Sequence, residues 1–283
     1  MLTNKKGEGY SSGSFRVDRD RGTWLAGGVL IAIAVFAWVA VVLQAMEMSS
    51  MSSAKSEMAM GSTTAAISIP LAEIMAFLGA WGIMMTAMML PSATPMIVLY
   101  SGIRRNFSQT GHKGIPTTLF TLVYLAVWLV FGIPVYAASL VVEVVANAYP
   151  AVAGLLPYAL ALVLLGAGAY QLSSWKQVCL RACQSPLGFL MGHWRSGYRG
   201  TLRMALEHAA YCIGCCWGLM VVLVAAGAMA LHWVLLIAVL VFAEKVLPYG
   251  EWTGRIAGGV LLVLGLLVVA QPDLAAVLRG SAM

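Results

Sequence analysis

Three cysteines and a histidine crowd into residues 207–220, which read Glu-His-Ala-Ala-Tyr-Cys-Ile-Gly-Cys-Cys-Trp-Gly-Leu-Met. The stretch is otherwise built like a membrane helix. At about 100° per residue, His208, Cys212, Cys215 and Cys216 occupy roughly a third of the helix circumference. Thiols and an imidazole on one stripe are what a soft metal ion or a thiol redox reaction requires. A single cysteine there would be packing, since small thiols fit well between apolar helices. Four such groups on one face ask for more.

A second row of sulfur lies in Trp81-Gly82-Ile83-Met84-Met85-Thr86-Ala87-Met88-Met89-Leu90-Pro91-Ser92. Met85, Met88 and Met89 share a face at i, i+3, i+4 spacing. Alone, such a stripe reads more simply as flexible core filling. Cys179 and Cys183 form a third group, on one side of a short helix. Neighbouring Lys176 and Arg181 would favour thiolate there, and the pair could receive or release a metal. A fourth group is Met46, Met48, Met51, Met58 and Met60, spread among Ser, Ala and Gly. These thioethers have no core to fill and suit Cu(I), a soft ion; a tolerated low-complexity loop is the alternative. Glu207, Glu244 and Lys245 are ionisable groups at or near membrane depth and are candidates as charge partners. For Lys245, snorkelling to the interface is the plainer reading. His112, His193 and His232 receive no role.

These groups sit in a chain of 283 residues that is 61% hydrophobic and 10% charged. Such a composition excludes an ordinary soluble domain and a disordered chain. It predicts an all-α, polytopic transmembrane bundle of about seven spans. The expected spans are 24–43, 71–96, 117–142, 151–172, 202–228, 231–247 and 254–270, with Pro91 and Pro95 breaking the second near its end. The organisation follows: a tail over 1–23, a first span over 24–44, a Met-rich outer loop over 45–70, a six-helix metal-binding domain over 71–270 and an outer tail over 271–283. Residues 1–23 are polar and of mixed charge, which predicts no cleavable leader.

The net charge of +6 is a matter of topology, not of nucleic-acid binding. Of the 17 Lys and Arg residues, all but Lys55 and Arg279 fall in the N-terminal tail or in the second-to-third, fourth-to-fifth and sixth-to-seventh connections. That bias predicts a cytoplasmic N-terminus and an outer C-terminus, in a bacterial inner membrane. The second span then runs inward and the fifth outward. At 1.5 Å per residue, Met85 and Met89 lie roughly 10–20 Å from the cytoplasmic side, and Cys212 and Cys216 roughly 13–20 Å. If the spans are neighbours, thioether and thiol sulfurs can meet. Gly214 and Gly218, and Gly254 and Gly258, read as close-packing positions.

The chain resembles a bacterial family described as predicted metal-binding integral membrane proteins, a domain of unknown function. The resemblance is carried by residues 84–92 with Pro95, Tyr170-Gln171-Leu172, Lys176, Cys179, Cys183 and Pro186. It continues through His208, the Gly-Cys-Cys-Trp segment at 214–217 with its flanks, Gly227, Met229 and Glu244-Lys245. It covers roughly residues 75–265, and the Met-rich outer loop lies outside it. It implies metal binding and names no reaction.

Three functions remain open on these residues. The first is copper handling: capture of Cu(I) by the outer methionines, holding by the two sulfur rows and exchange through Cys179 and Cys183, with copper-donor or acceptor proteins as partners. Imidazole adds tolerance for zinc. The second is a non-catalytic subunit of a larger copper or redox complex in the membrane. The third is a thiol–disulfide oxidoreductase using Cys212-Ile213-Gly214-Cys215 as a C-x-x-C pair. No catalytic residues are assigned, and no phosphate-binding loop is present for ATP-driven pumping.

Overall fold

A computed structural model describes residues 21–58, 71–108, 117–149, 154–195, 197–227 and 230–279. Every regular element among them is a helix. In chain order these are α1 (Arg21–Met58), α2 (Leu71–Ser108), α3 (Thr117–Ala148), α4 (Leu156–Leu172), α5 (Ser174–Gln184), α6 (Pro186–His193), α7 (Gly197–Gly227), α8 (Leu231–Val246), α9 (Gly250–Ala270) and α10 (Leu274–Leu278).

Five of these are long and apolar enough to cross a membrane: Trp24–Glu47 of α1, Leu71–Arg104 of α2, and all of α3, α7 and α9. The fourth and sixth expected spans are helices of 17 and 16 residues, α4 and α8. Both fall short of the ~20 residues that cover a bilayer core. α4 turns by 63° into α5. The turn is made at Ser173, whose extended backbone ends α4 and whose hydroxyl caps α5 by accepting from the Lys176 N–H.

Two expected boundaries differ. The second span does not break at its prolines: α2 continues through Pro91 and Pro95 to Ser108. The residues flanking the prolines, Leu90, Ala93 and Ile97, are buried in the bundle, and packing against neighbouring helices lets proline sit inside apolar helices. α1 does not stop at residue 44 but runs to Met58, so residues 45–58 are helical rather than loop. No Gly or Pro, the residues that most oppose a helix, interrupts 29–58.

α3 illustrates how the bundle is ordered. Phe120, Tyr124 and Trp128 are fully buried, four residues apart, and Gly132 continues the row. That stripe faces α2 and α7, while Leu122, Leu129, Val130 and Ile133 stay exposed. Trp81 of α2 seals the row, donating its indole N–H to the Trp128 carbonyl at 3.0 Å. A Cβ on Gly132 would lie 2.6 Å from the Trp81 ring, so glycine makes room for it. α4 and α9 cross equally closely: a Cβ on Gly168 would be 2.9 Å from the Gly258 carbonyl oxygen. The small-residue reading of Gly258 therefore holds. α3 and α8 each pack against both α2 and α7, and so link the two sulfur-bearing helices.

Candidate metal centre

Every candidate sulfur of α7 is buried: Cys212, Cys215 and Cys216 are each 1% exposed. Their side chains lean on their own helix. The thiols of Cys215 and Cys216 donate to the Cys212 carbonyl at 3.1 and 2.8 Å. The Cys212 sulfur meets the Tyr124 hydroxyl of α3 at 3.1 Å and accepts from Lys245 Nζ of α8 at 2.9 Å. Lys245 Nζ also lies 3.9 Å from Met89 Sδ of α2. The second and fifth spans thus come together through the tip of a lysine from the sixth. Met85 and Met88 are buried in the same core.

Lys245 was expected to snorkel. It does not: it is 7% exposed and aims into the sulfurs. Its neighbour Glu244 turns the other way and pairs with Lys176 of α5, Nζ to Oε2 at 2.7 Å, with both side chains buried. Gln171 completes the pair by donating to Glu244 Oε1 at 3.0 Å and accepting from Lys176. Gln184 donates to the Glu244 carbonyl at 2.7 Å. Lys176 is therefore committed to a carboxylate and does not serve as the thiolate-favouring charge expected beside Cys179 and Cys183. Arg181 likewise points outward, to Glu251 at 2.7 Å.

Cys179 and Cys183 are half-buried because α5 folds back onto α7. Cys183 Sγ lies 3.8 Å from Cys215 Sγ. Cys179 Sγ would be 2.7 Å from a Cβ on Gly214, so this glycine admits α5 to the cysteine face of α7. Tyr170 reinforces that approach by donating to the Gly214 carbonyl at 2.5 Å.

His208 is 4% exposed and stands among Phe120, Tyr124 and Phe189, its ring centre 5.6–5.9 Å from theirs. Its Nδ1 is buried with no hydrogen-bond partner among the described residues. The ring lies one helical turn before Cys212, and its nitrogen is an exception to the rule that buried polar groups are hydrogen-bonded. Glu207 sits at the rim, ion-paired with Arg203 at 2.9 Å. Met46 is exposed at 62%. Met48, Met51 and Met58 lie on the helical backbone of α1, and Met60 lies outside the described residues.

Among the described residues, no group of three or more His, Cys, Asp or Glu side chains is arranged to hold a metal ion. The reason is visible in the contacts. Two thiols are turned to a carbonyl, and an amine fills the space beside the third. A cysteine redirects its sulfur by rotation about one bond, so the donor types suit a soft metal ion while their present directions do not. Pattern reading missed Tyr124, Lys176 and Gln171 as supports of this centre. Gln171 and Lys176 carried a signal, as polar groups at the edge of apolar helices. Tyr124 carried only its i, i+4 register with Phe120 and Trp128.

No curated protein and no solved structure matches the chain. The family described as PpoB2, copper chaperone, matches residues 78–268, a segment covering more than half of the chain and containing all five cysteines. The chain therefore belongs to the PpoB2 copper chaperone family.

Proposed function

We propose that this protein binds Cu(I) as cargo inside a membrane bundle and hands it to a partner protein. The carrying observation is the convergence of Cys212, Met89 and Lys245 from three helices at 2.9 and 3.9 Å, with Cys183 and Cys215 one step away. Thiol and thioether sulfur together favour Cu(I) over harder cations. Cys212, Cys215 and Cys216 are the proposed principal ligands, with Met89 and His208 as further donors. Met85 and Met88 continue the thioether row above them. Cys183 and Cys179 provide the exit, being half-buried on the folded-back α5.

The bundle is placed in a bacterial inner membrane with the N-terminus in the cytoplasm. The segregation of basic residues supports this orientation, as do five helices long and apolar enough to cross a membrane. In that orientation the outer methionines, Met46 among them, would collect the ion, and the exit cysteines face the cytoplasm. Copper-donor and acceptor proteins are the partners this implies.

The test is metal analysis of full-length protein purified without chelator from copper-supplied cells. About one copper per chain is expected, with sulfur neighbours by X-ray absorption, and its loss in the C212S/C215S/C216S variant. Metal-free wild type with five reduced thiols overturns the reading.

A further inference from the structure

Lys245 is in an unusual place for a lysine. The residue is 7% exposed, and its amine has the Cys212 and Met89 sulfurs as partners, at 2.9 and 3.9 Å. An ammonium carries three donors, and sulfur is a weak acceptor. A buried amine so poorly compensated is costly. The costly group is not rescued by the acid next to it, because Glu244 is committed to Lys176 and Gln171. An apolar residue would fill the same volume without that penalty. What the amine supplies, and an apolar side chain could not, is positive charge between the two sulfur-bearing helices.

We propose that Lys245 is a tethered stand-in for the cargo cation, and that it sets how readily the ion is released. This inference rests on the reading of the protein as a Cu(I) carrier. Without cargo, the amine keeps the Met89 and Cys212 sulfurs apart and aimed at one point. When Cu(I) enters, the Cys212 thiol gives up its proton to solvent, the thiolate bonds to the ion, and the N–H···S hydrogen bond is broken. The four-carbon stem lets the amine withdraw from the site. The withdrawn charge stays covalently close to the bound ion and competes to return. Binding is thereby weakened and exit made faster, as a delivery protein requires; a storage site would omit the lysine.

The experiment compares wild type with K245M and K245Q, full-length and in detergent, each shown monodisperse and helical. Cu(I) is titrated against a competing chromogenic chelator, and transfer to excess chelator is timed. Removing the amine is expected to tighten Cu(I) binding at least tenfold and to slow transfer correspondingly. Equal or weaker binding by folded K245M and K245Q overturns the inference while leaving the carrier reading intact. Absence of Cu(I) binding in wild type and variants alike overturns both. A second measurement uses wild type alone. In protein labelled with 15N at lysine Nζ, the Lys245 resonance should move on copper loading. An unmoved resonance in loaded protein also overturns the inference.

Discussion

Cys183 Sγ of α5 stands 3.8 Å from Cys215 Sγ of α7. The C-x-x-C spacing had pointed to Cys212 and Cys215 as the redox-capable pair. In the structure both of those lie on one continuous helix, with the Cys215 thiol bonded to the Cys212 carbonyl. The structure adds a second pair, between helices. Mild oxidation of metal-free protein with diamide should give a single intramolecular disulfide, Cys183–Cys215, by peptide mapping. C183S should abolish it and C179S should leave it. A dominant Cys212–Cys215 bond would contradict this arrangement. Copper loaded beforehand should protect the pair.

The helical, membrane-like architecture was legible because apolar runs and their basic flanks are long-range averages that no single contact overrides. The cysteine face of α7 was legible for a similar reason: His208, Cys212, Cys215 and Cys216 share one helix, so their common stripe follows from 3.6-residue periodicity. Relations between helices were not legible. Nothing in the spacing says that Lys176 crosses from α5 to Glu244 of α8, or that Lys245 turns inward while its neighbour turns away. The continuity of α2 through Pro91 and Pro95 was also hidden, because a proline's cost is offset by packing against neighbouring helices, which the local sequence does not display. The family resemblance had included Gln171, Lys176 and Glu244 without their roles; their meeting supplies a structural reason for all three.

The Lys176–Glu244 pair fixes α5 to α8, and so places Cys183 against Cys215. Removing one partner of a buried ion pair leaves an uncompensated charge and costs about 3–5 kcal/mol. K176M should therefore lower the thermal midpoint markedly, whereas K176M/E244L should recover much of the loss. Failure of the double variant to outperform the single would show that the charges are not coupled. K176M should also suppress the Cys183–Cys215 crosslink, by loosening α5.

Gly254 of α9 underlies that same pair. A Cβ there would lie 3.2 Å from Glu244 Oε1 and 3.3 Å from Lys176 Nζ. G254A requires a shift of a few tenths of an ångström and should cost about 1 kcal/mol or less, while G254V overpacks the site and should cost about 1–3 kcal/mol. Gly259 of the same helix has open space at its Cβ position. G259A is the control and should be neutral or slightly stabilising, because alanine favours the helix over glycine. Equal thermal midpoints for G254V and G259V would remove the steric argument.

Met89 is the methionine whose sulfur reaches the Lys245–Cys212 contact, and it is fully buried. Met75 is on the same helix but 61% exposed. Leucine matches methionine closely in volume, so M89L isolates the loss of a thioether from the loss of packing and should cost less than ~1.5 kcal/mol of stability. Its effect on Cu(I) should be larger. With one of four proposed sulfur donors gone, affinity in the chelator competition should fall about tenfold or more, and the sulfur count by X-ray absorption should drop by one. M75L should change neither quantity. Unaltered copper affinity in a folded M89L would remove α2 from the site and leave the cysteines of α7 and α5 to hold the ion alone.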